Sequence, residues 1–200
     1  MTEASPVTHI GFLDQPRYRP LSVGAPVALT DCRVVDEVGK DVPQGELGEL
    51  VMRGPQFMLG YWKAPDATDA VLRDGWYWSG DVVRVDEQGQ YYIVDRRKEM
   101  MKYKGFSIAP AEVESVLLEH PAVRDCGVVS RVQSDGDELP CAFVVLRENE
   151  LETAQTASAM QAFVADRLCN YKMPREIHFV QSIPRTASGK ILRRDLRKLF

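Results

Sequence analysis

A lysine near the end of the chain, Lys190, has the clearest potential for chemistry. It follows the small residues Ala-Ser-Gly, and a cation on such a flexible turn can be carried to an anion that is bound elsewhere. The Gly-Lys pair does not belong to a phosphate-binding P-loop, because that motif needs a glycine where this chain has Pro184 and a serine or threonine where it has Ile191. Taken alone, the stretch is also compatible with a solvated basic turn before a terminal helix.

Three further segments contain residue types that could bind a ligand. Residues 76–81 are aromatic and end in Gly80-Asp81, and a carboxylate at a strand end can accept hydrogen bonds from the two hydroxyls of a ribose. Residues 94–106 combine a run of charges, alternating lysines and Gly105, where a ligand can approach the backbone closely. Residues 45–50 contain two glutamates between glycines. Each segment has a plainer interpretation: a Gly-Asp turn, a solvated basic loop, and a glycine turn rather than the carboxylate pair of a glycosidase.

The first half of the chain has the pattern of a β-rich scaffold for two of these segments. Strand-forming residues occupy 32–36, 49–53, 81–86 and 91–95, and the last two flank a hairpin turn at 87–90. A short helix is predicted over 65–72, because proline stands in its first turn. Short strands with glycine turns at this spacing are typical of a barrel-like or sandwich sheet. We therefore predict an α+β protein in which residues 1–95 form a β-rich, distorted barrel-like subdomain.

The second half predicts a small α+β domain with helices packed on a three-stranded sheet. One helix begins at Pro110, carries Val113, Val116 and Leu117 on one face, and ends at His120-Pro121. A second helix is predicted over 157–169, and strands are predicted over 127–129, 142–146 and 176–180. Residues 95–99 are all charged and cannot form a core strand, so we predict a connector there between domains 1–95 and 96–200.

Composition excludes several classes of protein. The chain has 200 residues, is 44% hydrophobic and carries a net charge of −4, which is typical of a globular protein and argues against a nucleic-acid-binding surface. No signal peptide and no apolar run of bilayer length is present, so we expect a cytoplasmic protein without a membrane span. The four cysteines form no Cys-x-x-Cys pair and lack histidines at ligand spacing, which favours free buried thiols over a zinc site.

In this order and at these separations, the motifs resemble the adenylate-forming superfamily of AMP-forming acyl-CoA synthetases, 4-coumarate–CoA ligases, luciferases and adenylation domains. The resemblance covers essentially the whole chain. KYKGFSIAPAEVESVL at 102–117 and PRTASGKILRRDL at 184–196 look closest to the acyl-CoA synthetase and 4-coumarate–CoA ligase branch. The resemblance implies the C-terminal part of an AMP-forming acid–CoA ligase, which forms an acyl-adenylate from ATP and then a thioester with coenzyme A.

The resemblance also implies which residues bind the nucleotide. Asp81 and Arg96 correspond to the residues that hold the ribose hydroxyls of ATP and AMP. Thr2 and Glu3 match the Thr-Glu pair of the family, in which the threonine contacts phosphate and the glutamate holds Mg²⁺. A hard carboxylate oxygen suits that metal.

Four other positions match residues that act in the two half-reactions of the family. Lys190 corresponds to the lysine that bridges the acyl carboxylate and the phosphate during adenylation, and Lys98 to the hinge about which the C-terminal domain turns. Lys102 and Gly105 belong to the face presented in the thioester step, where the glycine lets the pantetheine arm of CoA pass. The chain departs from the 4-coumarate–CoA ligases at Ser107, where they carry a glutamine that contacts phosphate.

The resemblance further implies that much of the ligase lies outside this chain. The phosphate loop, adenine site and acyl pocket of the family precede the Thr-Glu pair, before which this chain has only Met1. We therefore expect a fragment or one part of a split enzyme, with a separately encoded N-terminal half and with a fatty or aryl acid and CoA as substrates. Little activity is expected of the chain alone. A noncatalytic module that binds nucleotide or CoA, or that regulates a full-length relative, is the alternative.

Overall fold

The computed structural model describes residues 1–12, 19–134 and 136–200. The chain divides into two compact units, Met1–Lys98 (unit 1) and Glu99–Phe200 (unit 2), and the division falls inside the charged segment 95–99. Apolar clusters form the core of each unit.

Unit 1 consists mainly of antiparallel strands with one short helix. It opens with a 3₁₀ turn at Thr2–Ala4, which buries Ala4 completely. The elements that follow are β1 (His9–Ile10), β2 (Ala25–Pro26), β3 (Asp31–Val35), β4 (Gly48–Arg53), α1 (Pro65–Val71), β5 (Leu72–Arg73), β6 (Trp76–Val85) and β7 (Tyr91–Arg96). Proline at the first position begins α1, as the sequence predicts.

The five-stranded sheet of unit 1 is organised around its longest strand, β6, which pairs with β4, β5 and β7. Strand β4 lies between β3 and β6, and its Leu50 and Met52 pack with Tyr77 in the core. The register between β4 and β6 shifts between Glu49 and Val51, opposite the segment 79–81. Such a bulge bends a strand and redirects its side chains, and this one falls at the Gly-Asp motif. Among the described residues the outer strands of this sheet do not pair with each other.

Unit 2 is an α+β domain. The plainer interpretation of residues 94–106, a solvated basic loop, was wrong for residues 101–108, which form a short hairpin. The elements of unit 2 are β8 (Met101–Tyr103), β9 (Phe106–Ile108), α2 (Pro110–Leu118), β10 (Val123–Val132), β11 (Glu138–Leu146), α3 (Ala154–Ala165), β12 (Glu176–Phe179) and α4 (Arg193–Leu196).

The sheet of unit 2 is buried on both faces. Strand β11 lies between β10, which is antiparallel to it, and β12, which is parallel. Alternate residues of β11 enter different apolar clusters: Val144 packs with Val113 and Leu117 of α2, whereas Val145 packs with Leu196 of α4. Burial on two faces explains why the sequence shows continuous apolar runs here rather than alternation.

The predicted α+β class, the β-rich first half and the three-stranded sheet with its helices are confirmed. Several boundaries were wrong. Arg96 ends strand β7 rather than belonging to a connector, because it extends the β6–β7 ladder one residue beyond the predicted strand 91–95. Helix α3 begins at Ala154, where the Thr153 hydroxyl caps it, and ends four residues before the predicted position 169. The strands over 127–129 and 142–146 are several residues longer than predicted. In the described part of the chain no helix has the length and hydrophobicity needed to cross a membrane.

Candidate nucleotide-binding site and exposed lysines

A pocket of about 580 Å³ in unit 1 contains several of the predicted residues. This volume lies in the range that is usual for small-molecule sites. The pocket is lined by Glu3, Glu49, Tyr61, Ala70, Val71, Arg73, Tyr77, Trp78, Ser79, Gly80, Arg96, Arg97 and Lys98. A second pocket, of about 350 Å³, lies between residues 32–46 and Val85 and Tyr91, and contains none of the predicted site residues.

Glu3 is held at the pocket by a tyrosine. The Tyr61 hydroxyl donates to Oε1 of Glu3 at 2.9 Å, and the backbone carbonyl of Glu3 accepts from the Met58 amide at 2.8 Å. Burial and the neighbouring Glu3 carboxylate raise the pKa of Tyr77, which is hydrogen-bonded to Tyr61. Both phenols therefore remain protonated near neutral pH and act as donors. Thr2 lies beside this group on the same 3₁₀ turn and is exposed.

Asp81 and Arg96 form an ion pair across the β6–β7 ladder. They are register partners, and Nε of Arg96 lies 2.9 Å from Oδ1 of Asp81. The carboxylate is mostly buried, whereas the guanidinium is half exposed and also donates to the Ser79 carbonyl at 3.0 Å. Gly80, which precedes Asp81 in the chain, has φ +69°, a conformation that glycine adopts without strain. The pocket wall includes Gly80 and Arg96 but not the Asp81 side chain.

Glu49 lines the candidate site, and no sequence pattern indicated its contacts there. Its buried carboxylate accepts the Gly80 amide at 3.1 Å and pairs with Nη1 of Arg97 at 2.6 Å. These partners are 31 and 48 residues away in the sequence, so spacing gives no sign of them. Glu49 therefore holds Gly80, which precedes Asp81, and Arg97, which precedes Lys98. It is not half of a glycosidase carboxylate pair, since Glu46 is exposed and does not line this pocket.

Lys98 is exposed and lies in a 3₁₀ turn, Arg97–Glu99, at the end of unit 1. Lys102 and Gly105 lie on the β8–β9 hairpin of unit 2. Tyr103 pairs with Phe106, so the loop has two residues, Lys104 and Gly105, with φ of +50° and +79°. Positive φ at both loop positions is the signature of a type I′ turn and explains the glycine. The space beside Gly105 is open, and the Lys102 side chain is exposed.

Lys190 follows a hydrogen-bonded turn rather than the flexible loop that its sequence suggests. The Thr186 amide donates to the Lys190 carbonyl at 2.8 Å, and the Gly189 amide to the Thr186 carbonyl at 2.9 Å. Arg185, at the base of the turn, donates to the Gly189 carbonyl at 2.7 Å and pairs with Asp125 of β10 at 2.6 Å. Lys190 itself is exposed.

The structure thus brings together the residues predicted to bind nucleotide and metal within unit 1. Glu3, Arg96 and Lys98 line one pocket, and Asp81 is paired with Arg96 behind it. The remaining residues, Lys102, Gly105 and Lys190, lie in unit 2 on two separate exposed turns.

The cysteines differ in exposure. Burial raises the pKa values of Cys32, Cys126 and Cys141 to about 12, so these thiols are protonated near neutral pH. Cys126 and Cys141 are buried, as expected, but Cys169 is exposed.

Comparison with known proteins identifies the family of the chain. Residues 1–62 match the AMP-binding enzyme family and residues 112–190 match the AMP-binding enzyme C-terminal domain. The chain is 38% identical over 197 residues to a long-chain-fatty-acid–CoA ligase of Escherichia coli O6:H1, covering 98% of this chain and 34% of that protein. It is 39% identical over 202 residues to 4-coumarate–CoA ligase 1 of Glycine max, and this match covers 98% of this chain and 68% of that protein.

A solved structure shows the same similarity. The o-succinylbenzoate coenzyme A synthetase of Bacillus subtilis, in complex with AMP, superposes with a TM-score of 0.86 at 31% identity, over 98% of this chain and 39% of that one. The chain spans about a third of the length of most of the curated relatives that it matches. The two family matches, the identity to the Glycine max relative and the shared fold together show that the chain belongs to the superfamily of AMP-forming ligases, the adenylate-forming enzymes.

Proposed function

We propose that the chain is the C-terminal part of an AMP-forming carboxylic acid–CoA ligase. The observation that supports this most directly is the unit 1 pocket, which is lined by a metal-suited carboxylate (Glu3), by Arg96 of the Asp81–Arg96 ion pair and by Lys98 at the end of the unit. Relatives named as acid–CoA ligases support both substrate classes, a carboxylic acid and CoA.

The pocket residues suit the two ends of a nucleotide. The Arg96 guanidinium lines the pocket and can donate to a ribose oxygen, and the Asp81 carboxylate, paired with it behind the pocket wall, is the acceptor that we propose for the diol. Glu3 offers one carboxylate, whose Oε1 accepts a hydrogen bond from the Tyr61 hydroxyl. Mg²⁺ commonly binds through one or two carboxylates together with substrate phosphates. When bound, Mg²⁺ would neutralise phosphate charge. Thr2, beside Glu3, would contact the phosphate.

In the first half-reaction, an oxygen of the acid attacks the α-phosphorus of ATP and pyrophosphate leaves. Two anions must approach each other, so a positioned ammonium group lowers their repulsion and stabilises the charge that develops. We assign this role to Lys190. Its turn is held by Arg185 and Asp125, which leaves the ammonium group as the exposed, adjustable part.

In the second half-reaction, the sulfur of CoA attacks the acyl carbonyl carbon and AMP leaves. We propose that unit 2 presents the β8–β9 hairpin in this step, with Gly105 beside the pantetheine arm and Lys102 adjacent to it. The change between the two steps would take place at Lys98. A chain that divides into compact units on either side of this residue is suited to such a motion.

The acyl pocket would be supplied by polypeptide outside these residues, in the same chain or as a separate subunit. We therefore expect the 200-residue chain alone to catalyse no acid-dependent exchange of pyrophosphate into ATP, since positioning both substrates supplies much of the rate. Binding of AMP without turnover would instead favour the second candidate, a noncatalytic nucleotide-binding module.

The assignment can be tested in a chimera in which this chain replaces the matching segment of the E. coli ligase. Lys190→Ala should lower acyl-adenylate formation by roughly 10²-fold, as loss of a charge-stabilising group does in other enzymes. Thioester formation from a preformed acyl-adenylate should be nearly unchanged. Gly105→Val should have the opposite pattern, because it places a β-branched side chain at φ +79° in the hairpin.

Lys40, which is exposed and does not line the pocket that contains Glu3, provides the control, and Lys40→Ala should leave both steps unchanged. Equal losses of both steps in Lys190→Ala would refute its assigned role. A chimera that folds but neither binds ATP nor forms an adenylate would refute the proposed function as a whole.

A further inference from the structure

Three side chains from two neighbouring strands converge at the edge of the unit 2 sheet. Strand β12 runs parallel to β11, with Glu176 opposite Cys141 and His178 opposite Phe143. Sγ of Cys141, a carboxylate oxygen of Glu176 and a ring nitrogen of His178 all lie within 4.8 Å of one another. Two of the separations are 3.6 Å, from Sγ to Oε2, and 3.1 Å, from Nε2 to Oε2.

These separations are close to those of a tetrahedral metal site. Zinc bonds to sulfur at about 2.3 Å and to nitrogen and oxygen at about 2.0–2.1 Å, so neighbouring ligand atoms around one ion lie roughly 3.3–3.6 Å apart. The two separations that involve Glu176 differ from these values by only a few tenths of an ångström, and the third, from the cysteine sulfur to the histidine ring, lies within 4.8 Å. We propose that Cys141, Glu176 and His178 form a zinc-binding site, with water as the fourth ligand.

The surroundings hold two of these ligands in orientation. Arg131 of β10 pairs with Oε1 of Glu176, which leaves Oε2 facing the cysteine and the histidine. The His178 ring is stacked on Phe143, at a centroid distance of 5.0 Å, and touches Phe200 at 5.7 Å. Outer groups that fix the orientation of metal ligands in this way are a regular part of zinc sites.

The donor set selects the kind of metal. Hard cations such as Mg²⁺ and Ca²⁺ prefer sites made of oxygen atoms alone. Zinc displaces the proton of a cysteine thiol when it binds, and a thiolate together with an imidazole favours zinc. Glu176 and His178 are each about one-third exposed, so the ion can enter from solvent even though Cys141 is buried.

Linear spacing gave no indication of this site, because Cys141 and Glu176 are 35 residues apart and only strand pairing brings them together. The proposal does not depend on the ligase function, since it concerns one edge of unit 2. Bound zinc would join β12 to β11 and stabilise the folded unit, because any ligand that binds only the native state does so.

The test uses the reduced, metal-free chain and Co²⁺, a coloured substitute for zinc. We expect the intense visible absorption of tetrahedral Co²⁺ and a thiolate-to-cobalt charge-transfer band in the near ultraviolet, both removed by added Zn²⁺. Zn²⁺ should also raise the thermal midpoint in a concentration-dependent way. Cys141→Ser and His178→Gln should each weaken binding by at least about 10-fold, the loss that even an outer-shell change typically causes.

Cys169→Ser is the matched control, because it removes the exposed thiol that could bind metal adventitiously, and it should leave the spectrum unchanged. The proposal is overturned if the unsubstituted chain gives no thiolate charge-transfer band. It is also overturned if the band persists in Cys141→Ser or disappears in Cys169→Ser. His178→Gln changes a partly exposed side chain, so it tests the site even where replacement of the buried cysteine impairs folding.

Discussion

Arg193 should be one of the most important side chains for the stability of unit 2. Its Nη2 lies 2.8 Å from both carboxylate oxygens of Glu114, and its Nε donates to the Val128 carbonyl at 3.2 Å. The two side chains are only 12% and 10% exposed. The pair connects α4 to α2 and β10, and Glu114 also accepts the Val128 amide at 2.8 Å.

Arg193→Ala leaves the Glu114 carboxylate buried without its cation. Removal of one partner from a buried ion pair costs about 3–5 kcal/mol, a large fraction of the ~5–15 kcal/mol that stabilises a typical domain. Arg194→Ala is the matched control, because that side chain is 84% exposed and lies 3.7 Å from Asp195. An exposed pair of this kind contributes at most about 1 kcal/mol. The two neighbouring substitutions should therefore differ by several kcal/mol.

Urea denaturation followed by two signals can assign the loss to unit 2. All three tryptophans, Trp62, Trp76 and Trp78, lie in unit 1, so their fluorescence reports that unit alone. Far-ultraviolet circular dichroism reports both units. Arg193→Ala should lower the midpoint of the dichroism transition that belongs to unit 2 by on the order of 2 M urea, because urea slopes are about 1–3 kcal/mol per M. The fluorescence midpoint should not change.

A second substitution identifies the cause of the loss. If the cost comes from an unpaired buried charge, Glu114→Gln added to Arg193→Ala should recover part of the stability, because the amide is neutral and can still accept the Val128 amide. The reasoning is refuted if Arg193→Ala differs from Arg194→Ala by less than about 1 kcal/mol, or if the double substitution is no more stable than Arg193→Ala.

Two further expectations concern the two cores. Burial lowers the pKa of His9 from 6.5 to about 4. The unfolded chain therefore binds the proton first, and unit 1 should lose stability as pH falls from 6.5 to 4, by at most about 1.4 kcal/mol per pH unit. His9→Gln should flatten this pH dependence of the tryptophan-detected unfolding midpoint, and an unchanged slope would contradict the role of His9. In unit 2, a Cβ added at Gly127 would lie 2.6 Å from the Leu196 side chain, so Gly127→Ala should lower the free energy of unfolding measured by dichroism by about 1–3 kcal/mol. Gly136→Ala, where the space is open but φ is positive, should lower it by no more than about 1 kcal/mol. Equal losses of stability in the two variants would show that a small shift relieves the contact with Leu196.

Local sequence patterns predicted the fold well where the residues that become buried follow the period of the helix or strand. Helix α2 was found from the spacing of Val113, Val116 and Leu117, and two of these are completely buried. The β8–β9 hairpin was missed although Met101 and Tyr103 are buried and Lys102 is exposed, an alternation typical of a strand. The surrounding run of charges concealed a pattern only three residues long. Short edge elements are decided by tertiary packing, which single-sequence propensity does not contain.

The candidate site shows the same division between local motif and distant partner. Motif resemblance predicted Asp81, Arg96 and Lys190 as site residues. No local sequence pattern indicates that Glu49 holds the Gly80 amide and Arg97, which lie 31 and 48 residues away. The meeting of Cys141 with Glu176 and His178 likewise follows from the parallel pairing of two strands. Polar groups of this kind are buried because they satisfy one another, and that condition becomes visible only when the chain is folded.

The hydrogen-bonded turn before Lys190 bears on where the backbone of the proposed ligase must move. A mobile loop would carry Lys190 to its substrate without further rearrangement, but this turn is closed by backbone hydrogen bonds and fixed to β10 through Arg185 and Asp125. Three residues later, Arg193 fixes the following helix to Glu114. The base of the lysine turn therefore moves with the body of unit 2, and only the side chain adjusts independently. If Lys190 approaches the reacting anions and later withdraws, as we propose, the backbone rotation must occur near Lys98, where one compact unit ends.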